Sequence, residues 1–452
     1  MKTDVLVIGG SAAGMVTALS GKTNYPEKEF TVVRTEEKVM VPCGIPYIFG
    51  SLDSSDQNVM PTDANYDKKS IRHLVKEVTE INKNAKVCKF ADGETISYEK
   101  LVIATGSEPI RPEWLKGANL ENVFTIPKKK DILDDMKNKL QNLKDIVVIG
   151  AGFIGVEISD ELIKTGKNVS LVELKDQILP AAFDREIADK AEQLLIEKGI
   201  KSITGNGITE IVGDDNKVKE VILQDGTKIK ADAVVLSMGY RPNIRLAEQA
   251  GLSITSRGFI SVDEYMRSSN CDIMAVGDCA EKRNFVTRKP TDVMLASTAC
   301  AEGRIAGMNL YKLSAIKTFS GTIAIYSTAI GEMALGTAGI TEQVAKEEGF
   351  DVVTGMFEGI DKHPGTLPGT HKQAVKLIVA RESGVIIGGE AIGGPSAGEL
   401  TNLLGFIIQS RTSLHTLLIS QIGTQPMLTG SPAAYPLLKA AETAAQKIKF
   451  AY

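Results

Sequence analysis

The chain has 452 residues, and at about 150 residues per domain this length predicts about three domains. Its 43% hydrophobic and 24% charged residues are typical of a globular protein and exclude a disordered or fibrous chain. With 52 basic and 56 acidic residues, the net charge of −4 excludes a global basic surface for nucleic acid or an anionic membrane, and no apolar run reaches the about eighteen residues of a membrane span.

The chain opens with a strand, a glycine turn and a helix. The strand is predicted over residues 4–8, the turn over 9–14, the helix over 15–21 and a second strand over 30–33. This is the βαβ pattern that binds dinucleotides, with the phosphates at the N-terminus of the helix. Because the strand begins so early, we expect no signal peptide.

The first turn departs from the full glycine fingerprint. Ser11 takes the place of the usual second glycine, and Arg34 takes the place of the usual acid after the second strand, with Glu36 just beyond it. We expect a dinucleotide here, and a purely structural glycine turn is the alternative. The predicted contacts are Gly9, Ser11, Ala12, Gly14, Arg34 and Glu36.

The same arrangement recurs near the middle of the chain. A strand over 146–149 leads into the turn 150–155, a helix to about residue 165 and a strand over 169–173. Two such units in one chain are a strong signal, whereas one alone is weak.

The second turn carries the whole fingerprint. Gly150 permits the tight turn, Gly152 admits the pyrophosphate, and Gly155 lets the helix pack on the strand. Glu173 ends the next strand, where a carboxylate accepts hydrogen bonds from the adenosine ribose and repels a 2′-phosphate. The turn therefore favours NADH over NADPH, and an ordinary surface glutamate is the alternative. Phe153 and Ile154 lie inside this turn.

Three further strands end in glycine turns, at about residues 101–104, 232–237 and 273–276. Turns at the carboxyl edge of parallel sheets contact ligands. The predicted contacts there are Thr105, Gly106, Gly239, Gly277 and Asp278.

From about residue 320 the pattern becomes antiparallel and lacks a glycine fingerprint, so we predict a separate α+β domain that serves dimerisation. Its predicted strands are 322–327, 332–335, 352–357, 374–380 and 385–391, and its helices are 397–409 and 433–447.

Cys43 is the candidate redox residue among five irregularly spaced cysteines, which form neither a disulfide framework nor a zinc site. Pro42 and Gly44 flank it, and a helical start near residue 45 is expected to lower the pKa of its thiol. A thiolate there can attack a disulfide or persulfide sulfur. The alternative is a small buried hydrophobe, which we expect for Cys88, Cys271, Cys279 and Cys300. We expect a reducing, cytoplasmic setting and no metal.

Segments 9–14, 101–106, 150–157 and 275–278 resemble those of the pyridine nucleotide-disulfide oxidoreductases. The resemblance implies an α/β fold with two Rossmann-like dinucleotide-binding domains and a C-terminal α+β dimerisation domain, assembled as a homodimer. FAD would occupy the first site and NADH the second, which could also take NADPH. The implied domains are FAD-binding 1–116, NAD-binding 117–244, FAD-binding 245–319 and dimerisation 320–452.

The resemblance also implies roles for residues near the flavin. Asp278 would bond the ribityl chain, and the helix start at Ala296 and Ser297 would face the pyrimidine ring. Phe153 resembles the aromatic gate over the flavin, and Glu157 would contact the nicotinamide side.

The chain is similar to the single-cysteine group of this family, because segment 41–50 has no second cysteine and Gln425 stands where the dithiol type has a histidine. That group includes coenzyme A-disulfide reductases, persulfide or polysulfide reductases, NADH oxidases and NADH peroxidases. Ala12 replaces the histidine of peroxidases and water-forming oxidases, which argues against both activities.

Three functions remain open from the sequence. We expect an FAD-dependent NADH oxidoreductase that reduces a small-molecule disulfide, persulfide or polysulfide through Cys43. The first alternative is an NAD(P)H oxidase that passes electrons from flavin to O2, and the second is an electron-transfer partner of a small redox protein. Coenzyme A stays uncertain, because segments 366–369 and 423–426 lack the tyrosines of coenzyme A-disulfide reductases, although Tyr435 could substitute.

Overall fold

The computed structural model describes residues 1–314 and 320–448. Its first sheet is parallel, and its central strands are buried, which explains why they are mostly apolar runs. The strand order is Ile273–Ala275, Lys100–Ile103, Val5–Ile8, Phe30–Arg34 and Arg72–Val75.

Two helices of small residues cover this sheet, Ala12–Asn24 and Ala296–Met308. A Cβ on Gly303 would lie 2.8 Å from the Ala13 carbonyl oxygen, so the two helices touch through their backbones. The first sheet thus draws on segments from both ends of the first 310 residues.

The second sheet is also parallel and has five strands. Their order is Lys201–Ile203, Asn168–Val172, Asp145–Ile149, Ala233–Leu236 and Val123–Thr125. Its helices are Lys130–Leu140, Phe153–Lys164 and Arg185–Glu197.

The tail forms a five-stranded antiparallel sheet with helices on it, as predicted. The strand order is Tyr326–Ile330, Met333–Gly339, Ile386–Gly393, Lys372–Ala380 and Val352–Ile360. The helices are Glu342–Glu347, Ser396–Gln409, Leu414–Leu418 and Pro436–Ala445.

The strand predicted over 322–327 is wrong in its position. The observed strand begins at Tyr326, because Ala324 adopts a φ of 55°, in the left-handed region, and interrupts the extended chain. Thr322 instead forms an isolated bridge with Asn284. Residues 315–319, at the end of the predicted segment 245–319, and residues 449–452, at the end of the predicted tail domain, lie outside the described residues.

Smaller elements complete the fold. Minor strands are Val78–Asn82, Val87–Phe90, Thr95–Ser97, Ser107–Pro109, Ile208–Asp214, Lys217–Leu223, Lys228–Lys230, Tyr240–Pro242, Lys282–Arg283 and Pro290–Thr291. Short helices and 3₁₀ turns are Pro42–Gly44, Pro46–Phe49, Ser55–Asn58, Thr62–Lys68, Arg245–Gln249, Gly277–Cys279 and Pro432–Ala434.

Within the described part of the chain, no helix combines the length and the apolar character needed to cross a membrane. In the same residues, no three His, Cys, Asp or Glu side chains are grouped as metal ligands.

Candidate active site

The first glycine turn is built so that two of its glycines cannot carry a side chain. Gly9 has a φ of 115°, and a Cβ there would lie 2.1 Å from the Ala104 carbonyl oxygen. A Cβ on Gly14 would lie 1.9 Å from the Gly9 carbonyl oxygen. The following helix starts at Ala12, and its N-cap residue Ser11 makes no side-chain capping bond. The N–H groups of this helix end are therefore free to meet a phosphate.

Arg34 lies beside this turn, fully buried. Its Nε donates to the Glu36 carbonyl oxygen at 2.8 Å, and its Nη2 pairs with Asp63 at 2.7 Å. Its Nη1 is buried without a partner among the described residues. The backbone and not the carboxylate of Glu36 thus holds Arg34, and the unpaired Nη1 fits an acceptor from a bound dinucleotide.

In the second glycine turn, two glycines are required for packing, and a third leaves space for a ligand. A Cβ on Gly150 would lie 2.6 Å from the Ser237 carbonyl oxygen, and one on Gly155 would lie 1.8 Å from the Gly150 carbonyl oxygen. A Cβ on Gly152 would meet nothing within 4 Å. Gly152 is also the N-cap of the helix Phe153–Lys164, and as a glycine it has no side chain to cap the first N–H groups. This open helix end fits a pyrophosphate.

Glu173 lies at the edge of the same turn. Its carboxylate accepts the Ala151 N–H at 2.7 Å and the Lys175 N–H at 2.8 Å. The carboxylate is thereby fixed next to the turn, where the sequence places the adenosine ribose. The roles of Glu173 and of the glycines in nucleotide binding remain predictions.

The predicted flavin side centres on Asp278, which is largely buried. Asp278 Oδ2 accepts hydrogen bonds from Ser107 Oγ and Lys128 Nζ, both at 2.7 Å. Burial disfavours the charged carboxylate, but Lys128 and Ser107 outweigh it and lower the pKa of Asp278. An ionised Asp278 is a ready acceptor for hydroxyl groups.

A buried ion pair fixes the turn before Asp278. Gly277 has a φ of 77°, and its N–H donates to Glu302 Oε2 at 2.7 Å. Lys282 Nζ donates to the Gly277 carbonyl oxygen at 2.6 Å and lies 3.7 Å from Glu302 Oε1. The side chains of Lys282 and Glu302 are both 0% exposed, so water does not compete for their contacts with this turn.

The other predicted contacts on the flavin side differ in whether they are engaged within the protein or open. Thr105 Oγ1 donates to the Asn243 carbonyl oxygen at 2.6 Å, so its hydroxyl is already engaged. Gly106 has open space at its Cβ position, and Gly239 has a φ of 89°. At the helix start, Ala296 is half-buried and Ser297 is exposed.

Cys43 lies in the 3₁₀ turn Pro42–Gly44, open to solvent. The expectation that a helix start lowers its pKa is wrong. Pro42 and Pro46 lead the two successive 3₁₀ turns and have no N–H to offer, and the Gly44 N–H already donates to the Val41 carbonyl oxygen.

The surroundings of the Cys43 sulfur raise its pKa. Protein packed around the sulfur disfavours the thiolate, and the negative charge of Glu157 adds to this effect. Lys128 opposes both by supplying a nearby positive charge.

Glu157 lies on the helix that follows the second turn. Burial raises its pKa to about 7, although a hydrogen bond from Thr328 Oγ1 to Glu157 Oε1 at 2.7 Å favours the charged form. Glu157 also helps burial to raise the pKa of Tyr47 to about 12. The structure thus brings Cys43 and Glu157 close enough for their charges to interact.

Phe153 does not stand alone in its turn. Its ring stacks on Tyr326 with 4.9 Å between centroids and 6° between planes, and the Phe183 ring is tilted against it at 54° with 6.1 Å between centroids. Sequence reasoning missed Tyr326, Thr328 and Lys128. The first two carry no motif, and Lys128 stands in a run of lysines, 128–130, that resembles a solvated surface.

The other four cysteines differ in exposure, and Gln425 lies at the surface of the tail. Cys88 and Cys279 are buried as expected, but Cys271 is exposed and Cys300 is half-buried, so the buried interpretation is wrong for Cys271. Gln425 is exposed and accepts the Met427 N–H through its own side chain.

Two parallel sheets, each with a glycine turn at an uncapped helix N-terminus, and an antiparallel tail define a protein of the class that binds two dinucleotides. The family model described as pyridine nucleotide-disulphide oxidoreductase matches residues 3–303, and the model of that family's dimerisation domain matches residues 325–434. The chain belongs to the pyridine nucleotide-disulphide oxidoreductase family. This confirms the resemblance and the fold class, and the family binds FAD and NAD(P)H.

Three comparisons illustrate the range of the relatives. The chain is 31% identical to an NADH oxidase of Methanocaldococcus jannaschii, covering 98% of this chain and 99% of that protein. It is 32% identical to an NAD(P)H coenzyme A polysulfide/persulfide reductase of Pyrococcus horikoshii, covering 87% and 88%. The structure of an NAD-dependent persulfide reductase from A. fulgidus superposes with a TM-score of 0.90 at 32% identity, covering 99% of this chain and 83% of that one.

Proposed function

We propose that this protein is an FAD-dependent NADH oxidoreductase that reduces a small-molecule disulfide, persulfide or polysulfide through Cys43. The observation that carries the proposal is the place of the Cys43 sulfur. It interacts with Glu157, on the helix of the second glycine turn, and with Lys128 and Asp278, which belong to the predicted flavin side. A solvent-open thiol that interacts with charged residues of both predicted sides suits the transfer of electrons to an external sulfur compound.

The proposed reaction balances as a disulfide exchange followed by a two-electron reduction. The Cys43 thiolate attacks one sulfur of the substrate, a Cys43–substrate disulfide forms, and the first thiol leaves. Two electrons and a proton derived from NADH then cleave that disulfide, which releases the second thiol and restores Cys43. With a persulfide or polysulfide, one product is hydrosulfide or a shortened sulfur chain.

Bound FAD supplies the two-electron relay between the nicotinamide and the thiol. The chain's own residues do the positioning. Gly9 and Gly14 shape the first turn, Asp278 offers an ionised acceptor, and Lys128 supplies positive charge near Cys43. That charge favours the thiolate form against the burial and the carboxylate that oppose it.

NADH is the proposed reductant, in preference to NADPH. The support is the fixed carboxylate of Glu173, which would repel a 2′-phosphate. Lys175 follows closely and reduces this discrimination without abolishing it.

The second candidate is an NAD(P)H oxidase that passes electrons from flavin to O2, and the relative named NADH oxidase favours it. Ala12 argues against the water-forming and peroxidase variants. Coenzyme A is a candidate part of the substrate because the P. horikoshii relative carries that name.

We also propose a homodimer formed through the tail, in a cytoplasmic setting. The match to a dimerisation domain supports the dimer, and so do large apolar side chains left open on the tail. Phe406 is 68% exposed, Ile419 is 86% exposed and Leu428 is 68% exposed.

The test is an anaerobic screen of NADH oxidation with coenzyme A disulfide, coenzyme A persulfide, glutathione persulfide, polysulfide and peroxide. We expect a sulfur compound to support turnover well above peroxide, and a higher kcat/KM for NADH than for NADPH. Turnover that requires O2 and that no sulfur compound supports would establish the oxidase instead. A requirement for an added carrier protein would support the third function.

A further inference from the structure

The tail strand Tyr326–Ile330 lies against the helix Phe153–Lys164. Side chains at alternate positions of a strand share one face, and helix residues four apart share one face. Tyr326 and Thr328 therefore point from the strand in the same direction, and Phe153 and Glu157 point from the helix in the same direction.

Each side chain of the strand pair contacts one side chain of the helix pair. The Tyr326 ring stacks on Phe153, nearly parallel at 6° and 4.9 Å between centroids. Thr328 Oγ1 donates to Glu157 Oε1 at 2.7 Å, across a sequence separation of 171 residues. Each tail side chain thus fixes one side chain of the helix.

This helix face links the second glycine turn to a residue that acts on the thiol. Phe153 follows Gly152 directly, and Glu157, one turn further, acts electrostatically on Cys43. We infer that Tyr326 and Thr328 are positioning residues for nicotinamide binding, because Tyr326 holds the Phe153 ring and Thr328 holds the Glu157 carboxylate. The inference rests on the proposed function, since it takes the second turn as the NADH site.

Loss of the stacked ring releases Phe153. Without that contact more rotamers are open to the ring. Nicotinamide binding must then order the ring, and binding weakens. An aromatic pair of this kind corresponds to about a threefold to tenfold change in affinity.

Loss of the Thr328 hydroxyl makes the charged form of Glu157 less favourable. The titratable groups facing Glu157 are Cys43 and Tyr47 from the 3₁₀ turns and Glu161 on its own helix, and Tyr326 packs nearby on the tail strand. None supplies a positive charge, so the Thr328 hydrogen bond is the favourable contact for ionised Glu157. Its removal should raise the pKa of Glu157 by about half a unit to one unit.

The affinity test uses FAD-loaded protein and NAD⁺ titrated by calorimetry. Tyr326→Leu keeps apolar volume but removes the stacking face, and Tyr326→Phe restores it. Ser327→Ala, on the exposed opposite face of the strand, is the matched control. We expect Tyr326→Leu to weaken NAD⁺ binding about threefold to tenfold, with Tyr326→Phe and Ser327→Ala within about twofold of wild type.

The charge test uses Thr328→Val, which is nearly isosteric. The pH profile of anaerobic flavin reduction by NADH should move to higher pH by about half a unit to one unit, and the limiting rate at high pH should stay near wild type. NAD⁺ affinity of Tyr326→Leu equal to that of Ser327→Ala, or an unmoved profile in Thr328→Val, would overturn the inference. A wild-type protein that binds NAD⁺ and accepts electrons but reduces no sulfur compound would refute the proposed function and leave the inference standing.

Discussion

At the scale of single residues, the pKa of the Cys43 thiol is set by burial and by two nearby charges of opposite sign. Glu157 and the packing around the sulfur raise the pKa of the thiol, and Lys128 lowers it. Because one neighbour raises the pKa of the thiol and the other lowers it, removal of either neighbour should shift that pKa.

We predict that Glu157→Gln shifts the alkylation of Cys43 to lower pH, because removing a negative charge stabilises the thiolate. Lys128→Met should shift it to higher pH for the opposite reason. The measurement is the rate of Cys43 alkylation by iodoacetamide against pH, followed by peptide mass spectrometry in a Cys271→Ser background.

Lys129→Met is the control, since Lys129 is the exposed neighbour of Lys128 in sequence. Equal shifts in Lys128→Met and Lys129→Met would show that Lys128 has no special place near the thiol.

The sequence predicts the residues that carry a local signal. The packing glycines could be predicted because a tight turn and a close backbone approach tolerate no other residue, whereas the redox role of Cys43 rests mainly on the family resemblance and stays a prediction. Tyr326 and Thr328 could not be predicted, because their partners lie far away in the chain and neither residue belongs to a motif. The raised pKa of Cys43 could not be predicted either, because it depends on burial of the sulfur and on Glu157 from another segment.

At the scale of elements, the second strand–turn–helix unit separates its structural glycines from its binding glycine. Gly155 packs against the Gly150 carbonyl oxygen, whereas Gly152 faces open space. The glycine fingerprint thus combines a packing requirement at Gly155 with a requirement for ligand space at Gly152.

We predict that Gly152→Ala folds and retains FAD but binds NAD⁺ at least about tenfold more weakly, a loss of about 1.4 kcal/mol. The added methyl group has room in the protein and collides with the pyrophosphate. Calorimetry with NAD⁺ measures the affinity, and visible absorbance measures the FAD content.

Gly155→Ala provides the contrast, because its Cβ would lie 1.8 Å from a backbone oxygen. Its melting temperature should fall by several degrees, while that of Gly152→Ala stays near wild type. Unchanged NAD⁺ affinity in Gly152→Ala would mean that the open turn is not the nucleotide site.

The topology of each βαβ unit was predictable from apolar runs and glycine turns, but one strand of the tail was not. Ala324 takes a left-handed φ that alanine rarely adopts, so no local preference marks the break before Tyr326.

At the scale of the whole molecule, buried charges join the second sheet's unit to the tail. Lys376, with its side chain 2% exposed, contacts Asp184 at 3.0 Å, Glu342 at 2.9 Å and Glu186 at 3.1 Å. Glu390 accepts the Asp184 N–H at 2.9 Å through Oε1, and its Oε2 is buried without a partner in the described residues.

Burial and the nearby Asp184 raise the pKa of Glu390 well above its usual value of 4.5. A carboxyl whose pKa is raised by folding stabilises the fold fully below that usual value, and the stabilisation is lost as pH rises towards the folded pKa. Glu390→Gln, which stays neutral, should therefore gain stability relative to wild type between about pH 5 and pH 8, by about 1–3 kcal/mol.

Urea unfolding at a series of pH values, at one fixed FAD concentration, measures this difference. Glu382→Gln, at an exposed turn of the tail, should show no such trend. A stability difference for Glu390→Gln that does not change with pH would contradict the account of this interface.

The central claim is that Cys43 carries electrons from the dinucleotide sites to an external sulfur compound, and the measurement that tests it most directly is the anaerobic comparison of Cys43→Ser with wild type. Serine is nearly isosteric but forms no disulfide, so sulfur reduction should fall by at least about a thousandfold. Because the glycine turns and Asp278 are untouched, the variant should keep its FAD, and NADH should still reduce the flavin at close to the wild-type rate. Near-normal turnover of the sulfur substrate by Cys43→Ser would contradict the account.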